Sequence, residues 1–99
     1  MTVPIITGED IRNDLVTVSN SSVLVSDAKF RREIFLTNIG ATTVTLSIGK
    51  SPAVAGFGVA IKPGLTYFAS FSLGFLPTQE AIYAIGDGVA AANLAVYER

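Results

Sequence analysis

The chain has 99 residues, 49% of them hydrophobic and only 15% charged, with seven basic and eight acidic side chains for a formal net charge of −1. One core accounts for this length, the apolar content excludes disorder, and the near-neutral charge gives no field that would hold a polyphosphate, so nucleic acid is not an expected partner. With no Cys and no His, disulfide, thiolate and imidazole chemistry are excluded, and with them most routes to hydrolysis or to a metal centre.

In chain order, Met1 to Ile6 is uncharged and soon meets Gly8, Glu9 and Asp10, which does not fit an export signal. Residues 1–14 read as an extended N-terminal arm before a single β-sandwich domain at 15–99, with one possible helical turn from Glu9 to Leu15. Val3, Ile5 and Ile6 offer apolar surface to a partner, and Pro4 confines the segment to an edge or exchanged position. Strand-like runs follow at Leu15 to Ser19, Val23 to Ser26 and Glu33 to Asn38. The clearest is Thr43 to Ile48, where Val44, Leu46 and Ile48 alternate with hydroxyl residues. Three more lie at Leu65 to Leu73, Ala81 to Ile85 and Asn93 to Tyr97. Turn residues at Asn20-Ser21-Ser22, Asn38-Ile39-Gly40, Lys62-Pro63-Gly64 and Gly86-Asp87-Gly88 separate them. The fold class expected is all-β, an antiparallel β-sandwich of seven or eight strands. A jelly-roll-like arrangement is preferred to an immunoglobulin-like one because Trp and Cys, the usual immunoglobulin core markers, are missing.

Charge is unevenly spread: of 15 charged residues, only Lys50 and Lys62 fall among the 46 residues from Ile34 to Gln79. A small domain cannot hide nearly half its chain, so part of this middle is expected to meet another chain, which implies a homo-oligomer. The longest uncharged run, Pro63 to Gln79, has 17 residues and is too short and too polar for a membrane-spanning helix. Ser51 to Gly64 reads as a long loop that contacts the partner, with Phe57 as its anchor and Val59 beside it.

Candidate chemistry is thin. Ser47-Ile48-Gly49-Lys50-Ser51 ends like a phosphate-binding loop, but Val44 stands where the first glycine belongs and Pro52 where the helix should extend. Gly56-Phe57-Gly58 lacks the βαβ context of a dinucleotide fingerprint. The carboxylates Glu9, Asp10, Asp14, Asp27, Glu33, Glu80, Asp87 and Glu98 read as solvated surface groups, with no pair held in an apolar pocket. Lys29, Arg31 and Arg32 form the one basic cluster, read as a solvated strand entry neutralised by Asp27 and Glu33. Phe57, Tyr67, Phe68, Phe71 and Phe75 suit either a core, an interface or a sugar-stacking surface, with Tyr67 and Phe71 expected on one strand face. No catalytic, cofactor-binding or metal-binding residue is assigned, and the chain reads as non-enzymatic.

Arg31-Arg32-Glu33-Ile34-Phe35-Leu36-Thr37-Asn38, Val44-Thr45-Leu46-Ser47-Ile48-Gly49, Pro63-Gly64, Ile82-Tyr83-Ala84-Ile85 and Leu94-Ala95-Val96-Tyr97-Glu98 together resemble the small β-sandwich structural proteins of tailed-bacteriophage virions. The likeness covers about two-thirds of the chain and has no catalytic signature. It implies capsid decoration or cementing by oligomers, commonly trimers, that bind capsid or other virion proteins after assembly in the host cytoplasm. The alternative is a carbohydrate- or receptor-binding module of a phage tail or fibre.

Overall fold

The computed structural model describes residues 11–88 and 92–99. Eight strands are present among them: β1 Arg12–Val18, β2 Val23–Ser26, β3 Glu33–Asn38, β4 Val44–Ile48, β5 Val59–Ile61, β6 Thr66–Ser70, β7 Ile82–Gly86 and β8 Ala92–Glu98. They form two four-stranded sheets with orders β1-β8-β3-β6 and β2-β7-β4-β5, every pairing antiparallel. First pairs with last, second with seventh, third with sixth and fourth with fifth, the result of rolling one long hairpin so that its successive strand pairs alternate between sheets until β4 and β5 close it within one. This is the jelly roll, and it is the fold class expected above.

Period-two alternation builds the core. Ile34 and Leu36 of β3 and Ala92, Leu94 and Val96 of β8 face Val25, Val44, Leu46, Ile82 and Ala84 of the opposite sheet, while Val18, Ile61 and Ala69 close the sides. Thirteen buried apolar side chains form this one cluster, none of them aromatic. Apart from Tyr67, which packs against this cluster, the aromatic rings that the structure describes are left to the outer faces and loops.

Three expectations are corrected, and one lies outside the described residues. The strand expected from Leu15 begins at Arg12, so Arg12, Asn13 and Asp14 pair with Glu98, Tyr97 and Val96 and belong to the sheet rather than to an arm or helical turn. Of the arm, residues 1–10, including Val3, Ile5 and Ile6, lie outside the described residues. The Ser51 to Gly64 loop contains a strand, β5, whose Val59, Ala60 and Ile61 pair with Leu46, Thr45 and Val44. Lastly, β6 stops at Ser70: Phe71–Leu73 is a 3₁₀ turn ended by Gly74 at φ 86°, and so Tyr67 and Phe71 do not share a strand face. Tyr67 lies opposite Leu36 and packs against the core, whereas Phe71 is exposed.

Candidate interaction surface

Because consecutive strands run antiparallel, the connections 27–32, 49–58 and 71–81 gather at one end of the sandwich. The amide of Lys29 donates to the carbonyl of Gln79 at 3.0 Å, and that of Gly49 to Ala81 at 2.7 Å, tying the three together. Two features lie at this end or run out from it: a buried ion cluster and an apolar outer surface.

The ion cluster overturns two expectations. Arg31 is 1% exposed and Glu98 2%, so neither is a solvated surface charge. Glu98 is the next inward position after Leu94 and Val96 on β8, and the alternation carries it between the sheets. A carboxylate there must find donors, and Arg31 Nε donates to its Oε2 at 3.0 Å while Ser26 Oγ donates to the same oxygen at 2.9 Å. Lys29 Nζ and Arg12 Nη1 reach Oε1 from the rim. Burial pushes the Glu98 carboxyl upward, but the four donors Lys29, Arg12, Ser26 and Arg31 outweigh it and hold the pKa at about 2.

Arg31 also spends its remaining donors on the connections. Nη1 donates to the carbonyls of Thr78 at 2.7 Å and Glu80 at 3.1 Å, and Nη2 donates to Asp27 O at 2.6 Å and Ser26 Oγ at 2.8 Å. A guanidinium can satisfy all of these in one plane; a lysine cannot. The cluster thus fastens β2, β8, the 27–32 connection and the 78–80 segment. The sequence signal for it was the continuing alternation Leu94, Val96, Glu98. What sequence spacing could not supply was Arg31, 67 positions away.

The second feature is the outer face of the β1-β8-β3-β6 sheet. Register places Tyr97, Phe35 and Phe68 side by side across β8, β3 and β6. Phe35 stacks on Phe68 with ring centroids 5.9 Å apart, Tyr97 tilts against Phe35 at 5.8 Å, and Phe75 meets Phe68 edge-on at 6.1 Å. Phe75 is held there by its amide, which donates to Ser70 O at 3.0 Å. The row continues into the 71–76 turn, whose Phe71, Leu73 and Leu76 are 70%, 60% and 72% exposed. Five aromatic rings and two leucines thus lie along this row and the turn that follows it, and Phe71, Leu73 and Leu76 have no place in the core cluster.

Phe57 and Val59, the partner anchors expected in the Ser51 to Gly64 region, lie away from this row. Phe57 is 75% exposed in a loop that folds back across the outer face of the other sheet, where Gly56 N–H donates to Thr45 Oγ1 and Ala53 N–H to Ser22 Oγ. It lines a shallow hollow of about 440 Å³ with Ser47, Lys50, Ser51, Pro52 and Val54. The phosphate-loop-like run Ser47 to Ser51 is the rim of this hollow: Ser47 and Ile48 finish β4, Gly49 turns at φ 79°, and no helix follows. Val59, on edge strand β5, borders a separate groove of about 310 Å³ shared with Ile61, Leu65, Tyr67 and Phe68. Phe57 and Val59 are therefore not brought together with the aromatic row into one site, although Phe68 links the groove to that row.

No protein-family model matches this chain, and no curated protein matches it.

Proposed function

We propose that the chain is a non-enzymatic structural protein of a virion that binds capsid or other virion proteins and associates with copies of itself. The observation that carries this reading is the aromatic and aliphatic surface from Tyr97 across Phe35 and Phe68 to Phe75, continued by Phe71, Leu73 and Leu76. An exposed apolar area at the upper end of what a monomer leaves in water marks an interaction site. The jelly roll is a fold that viral capsid domains use; lectins use it too, so the fold supports the reading by analogy and the surface supports it by physics. The resemblance to phage virion proteins supplies the particular partner.

The test is co-sedimentation of the purified protein with intact phage heads. Saturable pelleting, with a fixed number of copies per head, is the expected result. Protein that stays in the supernatant at every concentration refutes the virion assignment, and specific binding on a glycan array in its place would favour a receptor-binding module.

A further inference from the structure

We infer that a second copy of this chain covers the surface formed by Phe68, Phe71, Leu73, Phe75 and Leu76, and that the Phe57 loop is not part of that contact. The inference deepens the assembly reading and rests on it only in taking the partner to be protein.

Area decides first. Phe68, Phe71, Leu73, Phe75 and Leu76 are 46%, 70%, 60%, 59% and 72% exposed. At ordinary side-chain areas these five leave roughly 600 Å² of apolar surface in water, already close to the ~800 Å² that one partner contributes to a standard stable interface. Phe35 and Tyr97 extend it across the sheet.

Charge decides the kind of partner. The 17 residues from Pro63 to Gln79 contain no charged side chain. Two arginines border the patch, Arg32, whose carbonyl accepts from the Phe71 amide, and Arg99, which is paired with Glu33; two cations, one of them neutralised, are too few to hold an anionic lipid surface or a nucleic acid. Two identical patches of this composition can meet without burying like charges against each other, so the patch is complementary to itself, whereas a charged patch would repel its own copy. Phe57 lies over the opposite sheet, beside Lys50, in a hollow that is not continuous with the row.

The test compares wild type with Phe71→Asp/Leu76→Asp and with Phe57→Asp by sedimentation equilibrium at micromolar concentration. Wild type and Phe57→Asp are expected to be oligomers, and the double variant a monomer with an association weakened about 100-fold or more. Circular dichroism and the melting temperature of each variant report its fold. The single change Leu76→Glu, at the most exposed position of the patch, is the second arm should the double variant unfold, and it too should shift the equilibrium toward monomer. A monomeric wild type, an oligomer that survives both patch variants, or dissociation caused equally by Phe57→Asp overturns the inference. Head co-sedimentation run alongside separates the two readings: an oligomer that the patch variants dissociate but that never pellets with heads supports the shared surface and refutes the virion assignment.

Discussion

Replacing Glu98 by Gln tests whether the buried ion cluster fastens the open end of the sandwich. The change keeps the side-chain volume and one carbonyl oxygen but removes the negative charge from the middle of Arg12, Lys29 and Arg31. Arg31, 1% exposed, would then be a buried cation without a counter-ion. Removing one partner of a buried pair typically costs about 3–5 kcal/mol. The proton linkage agrees in size: a carboxyl held at about 2 in the folded chain against 4.5 as its ordinary value corresponds to about 3 kcal/mol. For a domain of ~100 residues, 3 kcal/mol is a drop of roughly 12–24 °C in melting temperature. The sign with pH follows from the depressed pKa. The contribution is complete above pH 4.5 and is lost as pH falls from there through about 2, where the folded carboxyl takes up its proton. Urea titrations of wild type and Glu98→Gln from neutral pH down to pH 2 measure both. The expected result is a large gap at neutral pH that narrows as the medium is acidified below pH 4.5. A loss under about 1 kcal/mol at neutral pH, or parallel acid profiles, would refute the reasoning, since exposed ion pairs rarely contribute more than that.

Three further outcomes follow from single positions. Gly58→Ala should lower stability by about 2 kcal/mol or more in urea unfolding, because the backbone there has φ 143° and a Cβ would stand 2.0 Å from the Leu46 carbonyl oxygen. Asn38→Ala should cost about 2–3 kcal/mol by thermal melting: its buried amide donates to Thr42 O and Ile61 O at 2.8 Å each and its carbonyl accepts from Gly40 N–H, so three backbone groups lose their partner. Phe57→Ala, at a side chain 75% exposed, should change stability by no more than about 0.5 kcal/mol, with a melting temperature that stays within a few degrees of wild type.

Local pattern was sufficient wherever a strand had one face in the core. Val44, Leu46 and Ile48 alternate with hydroxyls because a pleated strand sends neighbours to opposite sides, and that run is β4. The same rule marks Ile34, Leu36 and Asn38 on β3 and Leu94, Val96 and Glu98 on β8 as inward positions, polar ends included. The rule fails for β5, where Val59, Ala60 and Ile61 pair along one edge only and three residues are too few to show a period. It fails again at Phe71, where an apolar run continues past the end of β6 and Gly74 turns the chain.

By itself, then, the sequence determined the class of structure: a charge-poor, Gly- and Pro-punctuated chain with period-two apolar runs can bury them only between two sheets. Which strands became neighbours was decided by the tertiary structure, because pairing the first strand with the last and the third with the sixth joins residues up to 86 positions apart, and no local periodicity records such a partner. The same holds for the sites. An isolated Arg31 and an isolated Glu98 look like ordinary surface charges until the roll closes and places both between the sheets, where low exposure makes each necessary to the other. Phe35, Phe68, Phe75 and Tyr97 are scattered aromatics in the chain and one continuous surface on the sheet, since cross-strand register sets which rings touch.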